Sequence, residues 1–245
     1  MRVNLLGAEI DALSMDDVVE RAAALVRDYR PYRIMTLNPE FLYRAQSDQE
    51  LLELCRRADI VTADGVGIVW ACRVAGQPVP ERVTGIDLML RLAERAAAEN
   101  WSVYLFGAAP GVAAEAADRL SRDFPGLRIA GARHGYFQED EEDRIADDIK
   151  KVRPDLLFVA LGAPKQEIWI DRNFGKFGAG VAVGVGGSFD VLAGRVRRAP
   201  RWVRQLHLEW LSRLLLDPTR WRRQLILPLF AWTVIKEYKL KIKTH

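Results

Sequence analysis

One aspartate, Asp64, stands where a predicted strand meets a helix in the stretch DIVTADGVGIVW, residues 59–70. Ile60 and Val61 are β-branched and follow a charged helix-like segment, which predicts the end of a short buried strand. Gly65 and Gly67 then open a run that predicts a helix. A carboxylate at this junction can act as a general base that takes a proton from an attacking hydroxyl, or it can cap the helix. Local sequence leaves both interpretations open.

Further polar residues and glycines directly follow other predicted strands. The C-terminal ends of parallel strands meet at one edge of a sheet, here called the carboxyl edge, which is where ligands bind in open α/β sheets. We therefore expect these residues to converge although they are scattered in sequence. Each has an alternative. Thr36 and Asn38 suit helix capping, with Pro39 in the first turn of the next helix. Gln166 and its neighbour Glu167 suit a helix end, and Asp190 suits either a ribose or sugar hydroxyl or the surface. The set comprises Thr36, Asn38, Asp64, Gly107, Gln166 and Asp190.

Two glycine-rich turns, Gly107–Gly111 and Gly184–Gly187, connect predicted strands to helices. Backbone N–H groups in such turns can hold phosphate, so Gly107, Gly184 and Gly186 are candidate contacts for a nucleotide-type ligand. A plain tight turn is the alternative at each. Neither turn matches the G-x-G-x-x-G fingerprint, and no G-K-[ST] follows, so the sequence lacks both a dinucleotide site of that type and a P-loop.

Several other kinds of site are not indicated. His134, His207 and His245 are dispersed, and there is no C-x-x-C or H-x-x-x-H pairing, so we expect no zinc site. No D-x-D occurs, which removes the paired-carboxylate magnesium clamp, and no G-x-S-x-G predicts a serine hydrolase. We expect no metal and no cofactor. The charge of a bound diphosphate would then be met by Arg, Lys and helix N-termini.

The elements that must position these residues alternate along the chain. Short apolar strands separated by helices of 10–15 residues predict an α/β, Rossmann-like fold with a mostly parallel sheet and helices on both faces. An apolar run at Val3–Ile10 predicts an additional strand or hairpin. Leu127–Ala130 predicts a further short strand, and an acidic helix is predicted from Glu139. The composition, with 49% hydrophobic and 28% charged residues in 245, is that of a globular protein. Cys55 and Cys72 fall in predicted helices and are expected to be buried, reduced thiols, as in a cytosolic protein.

The last fifth of the chain differs in composition. Residues 195–245 carry 13 Lys and Arg against 3 Asp and Glu, whereas residues 1–194 have a net charge of −7. Four of the seven tryptophans also lie there. We therefore divide the chain into an α/β core, 1–194, and a basic, aromatic C-terminal helical appendage, 195–245. Its uncharged run 225–235 is too short to span a bilayer and is flanked by arginines and lysines, which is typical of an element on an anionic membrane surface. A helical packing arm or an oligomer contact is the alternative, and we expect no nucleic-acid binding.

Eight motifs in order, between about Thr36 and Arg223, resemble the WecG/TagA/CpsF glycosyltransferases. They are TLNPEFL, ADIVTADGVGIVWA, RVTGIDL, FGAAPGV, GYF, PDLLFVALGAPKQEIWI, GVGGSFDVLAGRVRRAPRW and EWLSRLLLDPTRWRR. The resemblance implies an inverting, metal-independent transferase that takes N-acetylmannosamine from a UDP donor. Its acceptor would be polyprenyl-diphosphate-linked N-acetylglucosamine at the cytoplasmic face of the membrane. In TagA-like members the product is the linkage unit of wall teichoic acid.

The resemblance also implies roles for individual residues. The proposed base falls on Asp64, and a functional arginine falls on Arg82. Thr36, Asn38 and Gln166 correspond to sugar-pocket residues, and we place Tyr136 of the GYF motif among the substrate contacts. Appendage arginines proposed to close over the site and meet the diphosphate fall on Arg213, Arg220 and Arg223. The family further implies peripheral placement on the inner face of the cell membrane and possible self-association through the core.

Three alternatives remain. Within the family, the donor could instead carry an N-acetylmannosaminuronic acid or a glucosyl group, in common-antigen or exopolysaccharide synthesis. A Rossmann-like dehydrogenase would need the dinucleotide fingerprint that the sequence lacks. A non-catalytic protein that binds nucleotide at the membrane surface would not depend on Asp64.

Overall fold

A computed structural model describes residues 1–28, 30–200, 203 and 225–240. Within them a six-stranded sheet lies between two layers of helices, and a separate antiparallel hairpin packs beside it. The hairpin consists of β1 and β2, and the sheet consists of β3 to β8 in the order β4-β3-β8-β7-β5-β6. Every pairing in the large sheet is parallel. The predicted α/β architecture is confirmed.

The bounds of the elements are as follows. The strands are β1 Arg2–Leu5, β2 Ala8–Asp11, β3 Tyr32–Leu37, β4 Ile60–Ala63, β5 Ser102–Gly107, β6 Arg128–Arg133, β7 Leu156–Ala160 and β8 Val181–Gly184. The helices are α1 Met15–Val26, α2 Pro39–Ala45, α3 Gln49–Arg57, α4 Val66–Val74, α5 Gly85–Glu99, α6 Val112–Asp123, α7 Glu142–Val152, α8 Lys165–Arg172 and α9 Ser188–Leu192. A 3₁₀ turn, Glu139–Glu141, precedes α7.

Strand side chains alternate between two apolar layers. On β3, Ile34 belongs to the cluster formed with α1, α5 and α6, whereas Met35 and Leu37 belong to the cluster formed with α2, α3 and α4. Strands buried on both faces explain why the sequence reads as continuous apolar runs. The helices after the adjacent strands β3 and β8 leave on opposite faces, since α2 joins one layer and α9 the other. This divergence opens a crevice at the carboxyl edge.

A helix near the C-terminus, Ile226–Ile235, packs on the core, and we call it the C-terminal helix. Phe230 (1% exposed) and Val234 join the apolar cluster of α2 and α4. Beyond it, the Tyr238 hydroxyl accepts a hydrogen bond of 2.8 Å from the backbone N–H of Leu6, in the hairpin turn. One face of the C-terminal helix therefore packs on the core, as expected for the helical packing arm that the sequence left open as an alternative. Its other face exposes Leu225, Leu229 and Trp232.

Most local predictions are confirmed, and a few boundaries were wrong. Val3–Ile10 is a hairpin, and Cys55 and Cys72 are buried free thiols in helices. The short strand predicted at Leu127–Ala130 extends to Arg133, because β6 continues its pairing with β5 past an irregularity at Val103/Tyr104. The helix predicted to start at Glu139 begins as a 3₁₀ turn.

Candidate active site

Asp64 lies at the carboxyl edge directly after β4, and it is partly buried. Its backbone N–H donates to the carbonyl of Leu37 at 2.9 Å, which extends the β3–β4 pairing by one residue. Its Oδ2 lies 3.4 Å from the backbone nitrogen of Gly85, the first residue of α5. The partial positive charge at the start of this 15-residue helix attracts a carboxylate. The N-cap residue of α4 is Gly65, so Asp64 stands one residue before the cap of the helix that follows it.

The turn that carries Asn38 packs against the turn that carries Asp64. Asn38 caps α2, since its Oδ1 accepts from the N–H of Phe41 at 2.9 Å, and Pro39 is the first helical residue. A Cβ at Gly67 would lie 2.7 Å from Cγ of Pro39, closer than side chains tolerate. Gly67 therefore permits the two strand-to-helix turns to touch. Asn38 therefore caps α2 from a turn that packs against the turn carrying Asp64.

Thr36 and Gly184 join the centre of the site. The buried Thr36 hydroxyl donates to the carbonyl of Gly184 at 3.0 Å, which ties the ends of β3 and β8 together. A Cβ at Gly85 would lie 3.3 Å from that hydroxyl oxygen and 3.4 Å from Cα of Val185. Gly85 is thus in close contact with Thr36 and hydrogen-bonded to Asp64. The sequence separates these three residues widely, and the fold brings them together.

Gln166 is buried in the first turn of α8 and contacts the turn after β8. Its Oε1 accepts from the N–H of Gly186 at 2.9 Å, and its Nε2 donates to Glu167 at 2.8 Å. A Cβ at Gly184 would lie 2.7 Å from that Nε2, so a side chain at this position would displace the Gln166 amide. The amide of Gly186, a candidate phosphate ligand, is engaged by Gln166. In the same turn, Val185 donates to the Val159 carbonyl.

Gly107 and Tyr136 lie together at the other end of the carboxyl edge. A Cβ at Gly107 would lie 2.5 Å from the carbonyl carbon of Ala160, so packing alone requires glycine there. The loop carrying Tyr136 crosses this turn, because the N–H of Gly135 donates to the Ala108 carbonyl at 2.9 Å. Tyr136 is 69% exposed. With four strand spacings between β4 and β5, these residues lie about 19 Å along the sheet from Asp64.

The other candidate residues differ in what the structure places around them. Arg82 is half-buried beside β4, where the N–H of its neighbour Val83 donates to the Ala63 carbonyl. Asp190 lies on α9, and its backbone carbonyl accepts from the N–H groups of Arg195 and Val196. The remaining candidates lie outside the described residues, namely Arg213, Arg220 and Arg223.

Sequence reasoning did not assign three residues that the structure places at this edge. Gly85 contacts both Thr36 and Asp64, as described above. Arg198 forms an ion pair with Asp87, whose backbone N–H is capped by Thr84 at the start of α5. The T-G-I-D pattern at the start of α5 is the signal for the cap, but nothing in it indicates contact with β4. Glu167 is buried, and its burial raises the pKa of its carboxyl group to about 7.

The described residues show neither a metal-binding cluster nor a membrane-spanning helix. No three His, Cys, Asp or Glu side chains there converge as metal ligands would. No helix in the same part of the chain has the length and apolarity to cross a membrane.

Comparison with known proteins places the chain among glycosyl transferases. The model of the glycosyl transferase WecG/TagA/CpsF family matches residues 3–244. A Bacillus spizizenii protein is 41% identical over 212 residues, which cover 86% of this chain and 82% of that protein. A Staphylococcus aureus protein (strain NCTC 8325 / PS 47) is 36% identical over 244 residues, covering 99% and 95%. Both relatives are named N-acetylglucosaminyldiphosphoundecaprenol N-acetyl-beta-D-mannosaminyltransferase.

Proposed function

Because this chain belongs to the WecG/TagA/CpsF family of glycosyltransferases, we propose that it transfers N-acetylmannosamine to a lipid-linked sugar. The donor is UDP-N-acetylmannosamine, and the acceptor is the 4-hydroxyl of N-acetylglucosamine on undecaprenyl diphosphate. The names of the two relatives support N-acetylmannosamine as the transferred sugar and the N-acetylglucosaminyl-diphosphoundecaprenol acceptor. The product is the disaccharide linkage unit on which wall teichoic acid is built.

The observation that carries this proposal is the position of Asp64. Its carboxylate stands at the carboxyl edge beside the Asn38 turn and the first residue of α5, where a sugar hydroxyl can reach it. In the proposed mechanism Asp64 removes the proton of the acceptor hydroxyl. The hydroxyl oxygen forms a bond to the anomeric carbon as the bond from that carbon to the β-phosphate oxygen breaks. The electron pair leaves with UDP, and displacement from the opposite side inverts the anomeric centre.

The length of the carboxyl edge suits a nucleotide donor. We place the sugar near Thr36, Asn38 and Gln166, and the nucleotide towards Gly107 and Tyr136. The roughly 19 Å between the two ends leaves room for a diphosphate between them. Asp190, on α9 between these ends, is placed against a ribose or sugar hydroxyl.

We propose that the leaving diphosphate is stabilised by cations of the protein and not by a metal ion. Arg82, half-buried next to the end of β4, is proposed as one such cation, and the appendage arginines Arg213, Arg220 and Arg223 are assigned the same role. Fixed positive groups aimed at developing negative charge are an effective form of transition-state stabilisation. The absence of D-x-D from the sequence supports this assignment.

The protein is proposed to work as a peripheral protein on the inner face of the membrane. Three exposed apolar side chains on the C-terminal helix, Leu225, Leu229 and Trp232, support this, as does the net basic charge of residues 195–245. Apolar side chains flanked by lysines favour an anionic lipid surface. A polyprenyl acceptor would then reach the site without leaving the bilayer. Self-association through the core stays a prediction.

The test is direct reconstitution with purified full-length protein. It would be incubated with a short-chain polyprenyl-diphosphate-N-acetylglucosamine and, separately, with UDP-N-acetylmannosamine, UDP-N-acetylmannosaminuronic acid, UDP-N-acetylglucosamine and UDP-glucose. Mass spectrometry of the lipid product is expected to show one added N-acetylhexosamine with the first donor. Transfer only from the uronic acid or the glucosyl donor would replace the proposed substrate. No transfer from any donor would contradict the proposed function.

A further inference from the structure

Glu167 is a buried carboxyl that the proposed chemistry does not use. It is 8% exposed, in the first turn of α8. Burial raises the pKa of its carboxyl group to about 7, and the hydrogen bond from Gln166 opposes that rise. Its Oε2 has no hydrogen-bond partner among the described residues. Burying a carboxyl group with one oxygen unpaired costs stability. Any favourable contribution of Glu167 must therefore come from its other oxygen, Oε1.

That other oxygen fixes the orientation of Gln166. The backbone N–H of Gly186 can only donate, so the side-chain atom of Gln166 that faces it must be the oxygen. The amide nitrogen of Gln166 then faces Glu167 and donates to its Oε1 at 2.8 Å. The same nitrogen lies against Gly184, where a Cβ would come within 2.7 Å. Glu167, Gln166 and the turn after β8 therefore form one connected unit.

Glu167 itself does not reach a substrate. The cavity beside it has a volume of about 20 Å³ and is lined by Arg33, Ile34, Leu54 and Gly184, among others. This volume is close to that of a single water site and far below that of a sugar. Any influence of Glu167 on the reaction must therefore pass through its neighbours Gln166 and Gly184.

We propose that Glu167 is a positioning residue for the donor, which holds the Gln166 amide in the orientation that secures the Gly184–Gly187 turn. This inference rests on the proposed transferase function. Without an acceptor at position 167, the amide nitrogen of Gln166 is left without its partner and the side chain is free to rotate. The N–H of Gly186 then loses its acceptor, and the turn at the centre of the carboxyl edge is no longer fixed. Donor binding weakens although Glu167 never touches the donor.

Two substitutions separate positioning from a structural role. Glu167→Leu removes the acceptor, whereas Glu167→Gln keeps an oxygen that can accept from Gln166. We expect Glu167→Leu to raise the KM for UDP-N-acetylmannosamine and the Kd for UDP, measured by calorimetry, by about tenfold, the value of one buried hydrogen bond. Glu167→Gln is expected to stay within about threefold of the parent protein. Ile170→Val on the same helix is a matched control that changes packing without changing a polar contact, and its KM should be unchanged.

The melting temperature of Glu167→Leu distinguishes a positioning role from a structural one. Replacing a buried carboxyl with an apolar side chain of similar size is expected to leave stability equal or higher. Weaker UDP binding in a protein of unchanged or higher melting temperature supports positioning. Normal UDP binding and normal KM in Glu167→Leu would overturn the inference while leaving the transferase function intact. A parent protein that transfers no sugar would instead refute the function.

Discussion

The Oδ2 atom of Asp64 lies 3.4 Å from the backbone nitrogen of Gly85, so the carboxylate after β4 meets the start of α5, a helix that begins 21 residues later in the chain. Gly85 also touches Thr36, whose hydroxyl holds the end of β8. Three segments distant in sequence thus meet at one glycine. The orientation of the proposed base therefore depends on tertiary packing.

Gly67→Ala should weaken both stability and turnover. The added Cβ would stand 2.7 Å from Cγ of Pro39, and a proline ring in the first turn of α2 cannot move aside without moving Asn38. We expect a loss of about 1–3 kcal/mol in the free energy of unfolding, measured in urea, together with a lower kcat. Val66→Ala, a change at the exposed neighbouring position, is the control and should alter neither. Full activity of Gly67→Ala would show that the contact between the two turns is not needed.

The sequence was informative where local rules decide the structure. Asn38 followed by Pro39 predicted the start of α2. The strand before Asp64 was also predicted, so Asp64 was correctly expected at the carboxyl edge. The contact of Asp64 with Gly85 was not predictable, because it depends on how a loop of irregular backbone returns along β4.

Two burial patterns were also beyond local sequence. The sequence suggested that Glu167 is a helix-end residue. In the structure Glu167 is buried, because the start of α8 packs against Gly184. The C-terminal helix is apolar on every side, so periodicity could not indicate that Phe230 and Val234 face the core while Trp232 remains 61% exposed.

Membrane binding should depend on the exposed face of the C-terminal helix. Replacing Leu229 and Trp232 together with serine is expected to reduce co-sedimentation with vesicles rich in anionic phospholipid roughly tenfold, because two apolar side chains no longer enter the lipid. Val152→Ser, at an exposed apolar residue on α7, is the matched control. If the double variant sediments as well as the parent protein, this face does not contact lipid.

Stability should respond to pH through Glu167. The carboxyl group titrates near 4.5 in the unfolded chain and at about 7 in the folded protein. Between these two pKa values the unfolded chain loses a proton that the folded protein keeps. The free energy of unfolding therefore falls as pH rises, and this decrease is complete above about pH 7. The Cys55 thiol facing Glu167 has a pKa raised to about 12 by burial and stays neutral, and Arg33 is ion-paired with Asp171.

Glu167→Gln cannot titrate and isolates this effect. We subtract the free energy of unfolding of the parent protein from that of Glu167→Gln, each measured in urea. This difference should be about 3 kcal/mol larger at pH 8 than at pH 4.5. Because all other groups are shared, the difference reports Glu167 alone. An equal difference at the two pH values would mean that Glu167 ionises normally in the folded protein.

Transfer is expected to proceed in the presence of EDTA. Arginine side chains and helix N-termini are proposed to meet the charge of the leaving diphosphate, so removal of divalent ions should change the rate less than about twofold. The rate would be measured with and without EDTA, and then after adding back Mg²⁺ or Mn²⁺. Loss of activity in EDTA with recovery on adding metal would contradict the proposed mechanism.

The most direct test of the central claim is single-turnover transfer by Asp64→Asn. Asparagine keeps an oxygen that can accept from Gly85, so the fold and UDP binding should be preserved while the base is lost. We expect the rate constant for formation of the lipid-linked disaccharide to fall by about 10²–10⁴-fold, with the Kd for UDP unchanged. Asp16→Asn, at an exposed carboxylate on α1, serves as the control and should transfer at the parent rate. Transfer by Asp64→Asn at the parent rate would show that Asp64 is not the base.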